Sequence, residues 1–323
     1  MKKKLAVIMT AVLTALAALG MCGCQKKSTG DKIGIIQLVE NGAFNDMRDG
    51  IIEELKANGY TDIDVKCAQG DASAVQTIAQ GMADGSYKAV FTIATPATQA
   101  MVNQECDTPV FFCSVSAPVA AGVLSDMEHP DKNATGTSNA IPISDIFAFS
   151  KKLTPDVESY GFLYCLNEVN SVNTISGAKE YCDQNGIAYK EITVTNSSEV
   201  MQAAQTLAES VDAIFIPNDS VIQAAMTTVT EIARENKIPV YGSSATMVVS
   251  GAFATIAISD KEIGVLTAQM AIKHLKDGVS VADIPSVVVP ATQTVINEDT
   301  LNALGIELSD EVKNEAVFVK DAK

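Results

Sequence analysis

The sequence predicts an α/β protein of two lobes, each a doubly wound parallel sheet, with three crossings of the chain forming a hinge between them. The first observation is the stretch Ala213-Ile214-Phe215-Ile216, an apolar run without a charge, as expected of a strand covered on both faces. Pro217-Asn218-Asp219-Ser220 then breaks the run with turn and capping residues before Val221-Ile222-Gln223-Ala224. The second observation is an echo. Ala89-Val90-Phe91-Thr92-Ile93 leads through Ala94-Thr95-Pro96 into Ala97-Thr98-Gln99-Ala100, and it aligns without a gap from Ala89 with Ala213 to Gln99 with Gln223. The third is the reach of that echo. Asn58-Gly59 is answered by Asn185-Gly186, and Pro109-Val110-Phe111 with Cys113-Ser114 by Pro239-Val240-Tyr241 with Ser243-Ser244. Two long units are too few for a solenoid and suit two strand-helix lobes, whose loops beyond the carboxyl ends of the strands would face one cleft.

Taken in order, the chain of 323 residues starts with Lys2-Lys3-Lys4, an uncharged apolar run over residues 5–20, and Met21-Cys22-Gly23-Cys24. The run is shorter than the roughly 20 residues that span a bilayer and has the three parts of an export signal. Its end resembles the lipobox of bacterial lipoproteins. Residues 1–23 are therefore expected to be a lipoprotein signal peptide, with Cys24 lipidated and Cys22 the alternative. Residues 24–31 form a polar tether. The formal net charge of −16 deepens by three when the leading lysines leave, and Arg48 and Arg234 are the only arginines, so nucleic acid is not expected as a partner.

Residues 32–38 are the first expected strand, and Phe44, Met47, Ile51 and Leu55 form the apolar stripe of the helix after it. A strand over 62–69 precedes a helix capped by Asp71 or Ser73. The echo strand, its helix from Pro96, and a strand from Pro109 to Val115 complete the first lobe. Residues 135–143 mark the passage to the second lobe, where a helix runs from Ser144 to Leu153 and a strand from Ser159 to Cys165. Residues 253–260 read as a return crossing, because the helix from Lys261 to Lys276 has no counterpart in the repeat; residues 286–290 read as the third. The lobes are expected to comprise residues 32–139 plus 260–287 and residues 140–259 plus 288–323.

Chemistry in the cleft points to binding. His129 and His274 both fall outside the cleft loops, so no serine or cysteine has an evident base. Cys67, Cys106, Cys113, Cys165 and Cys182 show no CxxC spacing and read as buried small side chains, so no metal and no cofactor is expected. Thr95 and Pro96, Ser114 and Ser116, and Ser243 and Ser244 sit where backbone N–H groups and hydroxyls can hold a carboxylate. Glu40 and Asp219 are placed to meet a ligand ammonium, although Asp219 is equally suited to cap a helix and Glu40 to be solvated. Asn139, Asn167, Asn170 and Asn218 offer donors and acceptors to a polar head, or serve as turn residues. Phe44 either covers an apolar tail or packs in the core. An exported enzyme acting on a small polar substrate, with Asp219 or Glu40 as base, is the alternative.

The order Lys32-Ile33-Gly34-Ile35-Ile36-Gln37, Ala94-Thr95-Pro96-Ala97, Ala117-Pro118-Val119-Ala120-Ala121-Gly122, Thr135-Gly136-Thr137-Ser138-Asn139 and Pro239-Val240-Tyr241-Gly242-Ser243, behind a lipobox, resembles one family. It is the ABC-importer solute-binding lipoproteins that include the tryptophan- and tyrosine-binding type. The resemblance implies the periplasmic-binding-protein type I fold and no enzymatic activity. It also implies an extracytoplasmic receptor held to the bacterial cell membrane by its lipid, which delivers a small molecule to a permease and its ATPase. Departures occur at Asn41-Gly42, where relatives often have His-Pro, at Ser116-Ala117-Pro118, where many have Thr-Asp-Pro, and at 257–261, which lack a tyrosine near Lys261. Each alters the cleft lining. An aromatic or other hydrophobic amino acid is the expected ligand.

Overall fold

The computed structural model describes residues 32–322; the expected signal peptide, lipidation site and tether lie outside them. From its start the chain forms β1 (Ile33–Gln37), α1 (Gly42–Ala57), β2 (Ile63–Cys67), α2 (Ala72–Met82), β3 (Ala89–Ile93), α3 (Thr95–Val102), β4 (Val110–Cys113) and β5 (Ala134–Ser138). The second unit follows as α4 (Ile143–Leu153), β6 (Ser159–Cys165), α5 (Val169–Asn185), β7 (Ala188–Val194), α6 (Val200–Ala208), β8 (Ala213–Phe215), α7 (Ser220–Ala224), α8 (Met226–Glu235), β9 (Val240–Tyr241), α9 (Ala245–Val249) and β10 (Ala254–Ala257). Then come α10 (Asp260–Leu275), β11 (Val287–Val288), β12 (Gln293–Asn297), α11 (Glu298–Leu304), α12 (Asp310–Glu315) and β13 (Val317–Val319).

The strands make two sheets, ordered β11-β5-β4-β3-β1-β2 and β13-β12-β10-β9-β8-β6-β7. Every pairing is parallel except β10 with β12. The repeat is thus reproduced strand for strand: β2, β1, β3, β4 and β5 stand in the order of β7, β6, β8, β9 and β10. The chain passes between sheets after β5, after β10 and after β11, which are the three crossings. The expected lobe boundary between 287 and 288 falls inside β11, which pairs with β5.

Two stretches read as crossings begin as strands. Residues 134–138 and 254–257 hold equivalent places in the two sheets, and the first is a short run of small residues that carries little apolar signal of its own. Its burial comes from neighbours. The Thr137 hydroxyl bonds the Thr267 hydroxyl of α10 at 2.7 Å, and the Thr135 hydroxyl donates to the Ile284 carbonyl at 2.7 Å.

Both faces of the second sheet are covered, as the apolar run at 213–216 requires. Leu163, Cys165 and Ile214 point into one core, while Phe162, Tyr164 and Phe215 point into the other. This is the alternation of a pleated strand. Asp71 caps α2, accepting from the Ala74 N–H at 2.7 Å. The expected unpaired helix over 261–276 is α10, and it crosses α1 so closely that a Cβ on Gly50 would stand 2.3 Å from the Lys261 carbonyl oxygen, and one on Gly264 2.0 Å from that of Met47. Only glycine fits either position, and the crossing returns the chain to the first lobe. No helix among the described residues is long and apolar enough to cross a membrane.

Candidate functional site

Beyond the carboxyl ends of both sheets lies one tight cleft lined by residues of both lobes. One wall comes from the first lobe. Asn41 caps α1 by accepting from the Phe44 N–H at 2.8 Å, which starts the helix at the cleft and lets Ala43, Phe44 and Met47 line it. Ala94, Thr95 and Pro96 follow β3, Ser114 and Ser116 follow β4, and Asn139 follows β5. Ser116 donates to Asn139 Oδ1 at 2.8 Å.

Two residues of this wall hold left-handed backbone conformations unusual for side-chain-bearing residues: Ala94 at φ 78° and Ser114 at φ 63°. Such strain costs about 1–3 kcal/mol and concentrates at functional sites. Ala94 also offers no side-chain cap to α3, so the backbone donors of that helix's first turn have no side chain over them.

The other wall comes from the second lobe and is acidic. Asp219 is 1% exposed and caps α7: its Oδ1 accepts from the Val221 and Ile222 N–H groups at 3.1 and 3.0 Å, and its Oδ2 from the Cys165 N–H at 2.7 Å. Asp219 therefore serves as the cap, and it lines the cavity as well. Glu168 lies beside it, buried, accepting from the Ser220 N–H at 3.1 Å and from the Ser220 hydroxyl. Asp260, half-buried at the second crossing where the chain enters the first lobe, reaches across to accept from the Thr246 hydroxyl at 3.4 Å. Ser244 caps α9, accepting from the Met247 N–H at 3.3 Å. Asn218 lends its carbonyl to Asn170 Nδ2 at 2.6 Å and to the Ser171 hydroxyl at 3.1 Å.

Electrostatically the cavity carries one sign of charge. Glu168, Asp219 and Asp260 line it, and among the described residues it has no lysine, arginine or histidine. Burial, then the charge of Asp219, pushes Glu168 up to about 7. Burial also raises Asp219, with the Cys165 and Ile222 N–H groups pulling it back. Asp260 rises to about 7 by burial, against the pull of Thr246. A cation entering the cleft would relieve all three.

Ten of the thirteen expected binding residues thus meet in this cavity: Phe44, Thr95, Pro96, Ser114, Ser116, Asn139, Asn170, Asn218, Asp219 and Ser244. Three do not line it. Glu40 is exposed to solvent, and Asn167 is exposed and donates to the Thr195 carbonyl at 3.3 Å. Ser243 is buried, donates to the Ile216 carbonyl at 2.9 Å and faces a separate chamber. Sequence reasoning missed Glu168, Gln223 and Asp260. The signal for Gln223 was present, since it repeats Gln99. Asp260 reads as an ordinary first-turn acid of α10, and Glu168 is hidden among polar loop neighbours.

Among the described residues no group of His, Cys, Asp and Glu is arranged to hold a metal ion. The five cysteines are free, and burial pushes the Cys113 thiol up to about 12, which leaves it inert. His274 is taken up structurally, with Nδ1 2.7 Å from the Val279 carbonyl oxygen.

Known proteins share this arrangement. A family model described as ABC transporter substrate binding protein matches residues 32–320. A tyrosine-binding protein of Clostridioides difficile is 35% identical over 292 residues, covering 88% of this chain and 84% of that one. An ABC domain from Streptococcus pneumoniae solved in complex with L-Trp superposes with a TM-score of 0.85 at 31% identity, covering 89% of this chain and 99% of that one. A ligand-free, open substrate-binding protein with adhesive properties from Clostridium difficile gives 0.71 at 36% identity, covering 90% and 99%. More distant likenesses, such as a sugar-transporter subunit from Rhodobacter sphaeroides at 16% identity and a TM-score of 0.60, share the fold alone. The chain belongs to the ABC transporter substrate-binding proteins, an extracytoplasmic family of transport receptors and not of enzymes, with the periplasmic-binding-protein type I fold.

Proposed function

We propose that the protein is a lipid-anchored receptor of an ABC importer that closes on an aromatic or other hydrophobic amino acid and delivers it to a permease driven by its ATPase. The observation that carries this reading is the division of labour between the walls. Carboxylates on one side suit an ammonium. Hydroxyls and the uncapped start of α3 on the other suit a carboxylate, and Phe44, Met47 and Pro96 suit an apolar side chain.

Two further points support it. The relatives include a tyrosine-binding protein and a domain solved with L-Trp. The TM-score is higher against the L-Trp complex than against the open, ligand-free protein, although the identity to the latter is higher. A conformation nearer the ligand-bound than the open one gives that result. The lobes proposed to hinge are residues 32–139 plus 260–287 and residues 140–259 plus 288–323. Anchoring is assigned to Cys24.

A thermal-shift series with L-tyrosine, L-tryptophan, L-phenylalanine and L-leucine tests the ligand class. A ligand at 100 times its Kd stabilises the fold by about 2.7 kcal/mol. No shift with any of the four would defeat the reading. Anchoring is tested separately by Cys24→Ala, which is expected to move the protein from the membrane fraction to the soluble one.

A further inference from the structure

The duplicated units use one residue in two ways. In the first, Gln99 is tied down, its Nε2 donating to the Ala121 carbonyl at 2.9 Å. In the second, the equivalent Gln223 lines the cavity, and its Nε2 is buried without a partner. Asn170 is 6% exposed and lines the same cavity. Its Nδ2 donates to the Asn218 carbonyl, and a carbonyl can only accept, so the orientation of the amide is fixed. The free end is Oδ1, which is also buried without a partner. Unsatisfied buried polar atoms are costly and rare in native proteins. Two in one cavity, one an acceptor and the other a donor, with the Glu168 carboxylate in the same lining, describe the complementary face of a ligand.

We infer that Asn170 and Gln223 are specificity-determining residues of the cleft: Asn170 Oδ1, with the Glu168 carboxylate, accepts from the ligand's ammonium, and Gln223 Nε2 donates to its carboxylate. This rests on the amino-acid reading above and sharpens it. Asp219, which accepts from three backbone N–H groups, adds its charge to the same face. A site that commits a buried donor and a buried acceptor to one ligand discriminates strongly against analogues lacking either group. The ligand class is therefore a free α-amino acid, against its decarboxylated amine or its des-amino acid.

Isothermal titration of the purified protein with six probes tests this: L-tyrosine, L-tryptophan, tyramine, tryptamine, 3-(4-hydroxyphenyl)propionate and indole-3-propionate. Gln223→Ala is expected to weaken both amino acids by about tenfold, the scale of one hydrogen bond, and to leave the two amines within about twofold. Asn170→Ala is expected to weaken the amino acids and the amines and to spare the two des-amino acids. Gln99→Ala serves as the repeat-matched control and leaves every affinity unchanged. Melting of the ligand-free protein supplies a readout that binding does not: removing an unpartnered donor leaves the melting temperature of Gln223→Ala at or above wild type. A drop matching that of Gln99→Ala would make Gln223 structural and overturn the inference. Wild-type protein that binds the amino acids while Gln223→Ala weakens acids and amines alike, or neither, also overturns it and leaves the amino-acid reading standing. Wild-type protein that binds none of the six overturns both.

Discussion

The two lobes share a strand order and a chain rhythm, yet their equivalent third strands end in opposite chemistry at three consecutive positions. Ala94, Thr95 and Pro96 in the first lobe correspond to Asn218, Asp219 and Ser220 in the second. In the second, Asp219 closes the start of α7 with its own carboxylate and brings a negative charge to the cavity. In the first, Ala94 leaves α3 without a side-chain cap, and no charged residue of that lobe's strand-end loops lines the cavity. A helix start left open attracts anions, and one filled by a carboxylate does not. The scaffold is repeated, and the cleft takes its polarity from Asp219 at these positions together with Glu168 and Asp260.

The comparison predicts first that the scaffolds are equally dependent on their cores. Phe91 and Phe215 occupy the same place in the repeat and both are fully buried. Phe91→Ala and Phe215→Ala are each expected to lower stability by about 3–5 kcal/mol in urea denaturation. A difference of several kcal/mol between them would break the equivalence of the lobes.

Next in size is the acidic wall. Glu168→Gln is expected to reduce amino-acid affinity by about 100-fold, the scale of losing a charge-assisted bond, while Thr95→Val on the other wall costs about tenfold. The same carboxylates make the two responses to pH run in opposite directions. Glu168 and Asp260 are raised to about 7, so between about pH 4 and 7 the folded protein holds protons that the unfolded chain has released. Stability of the ligand-free protein therefore falls as pH rises through that window. Affinity for an ammonium rises over it, because the carboxylates must ionise to receive the charge. Melting curves and titrations at pH 5, 6, 7 and 8 check both signs, and Glu168→Gln is expected to flatten both.

Smaller still is the cap. Asp219→Ala removes an acceptor from three backbone N–H groups and is expected to cost up to about 2 kcal/mol of stability, with a lesser effect on affinity than Glu168→Gln. The reverse ranking would return the ammonium to Asp219. Smallest is Ala94→Gly, which relieves a left-handed alanine and is expected to stabilise by up to about 1 kcal/mol without altering the ligand set. A loss of affinity there would mean that the strained turn itself shapes the anion side.

How far the sequence determined this molecule follows from the range over which its signals act. Apolar runs at 89–93 and 213–216, the caps at Asp71 and Asp219, and the gapless repeat are local patterns, and local patterns alone placed the strands, the helices and the loops that meet in the cleft. Tertiary structure decided two things. The strand at 134–138 is made of small residues with little hydrophobicity of its own, and it exists because neighbouring strands and helices cover it. And within a loop, the neighbour's position decides which side chain turns inward: Glu40 faces water, whereas Glu168 is buried because Ser220, from a loop 52 residues away, meets its carboxylate. A loop's place in the chain sets where it stands, and the partner across the space sets which of its atoms are used.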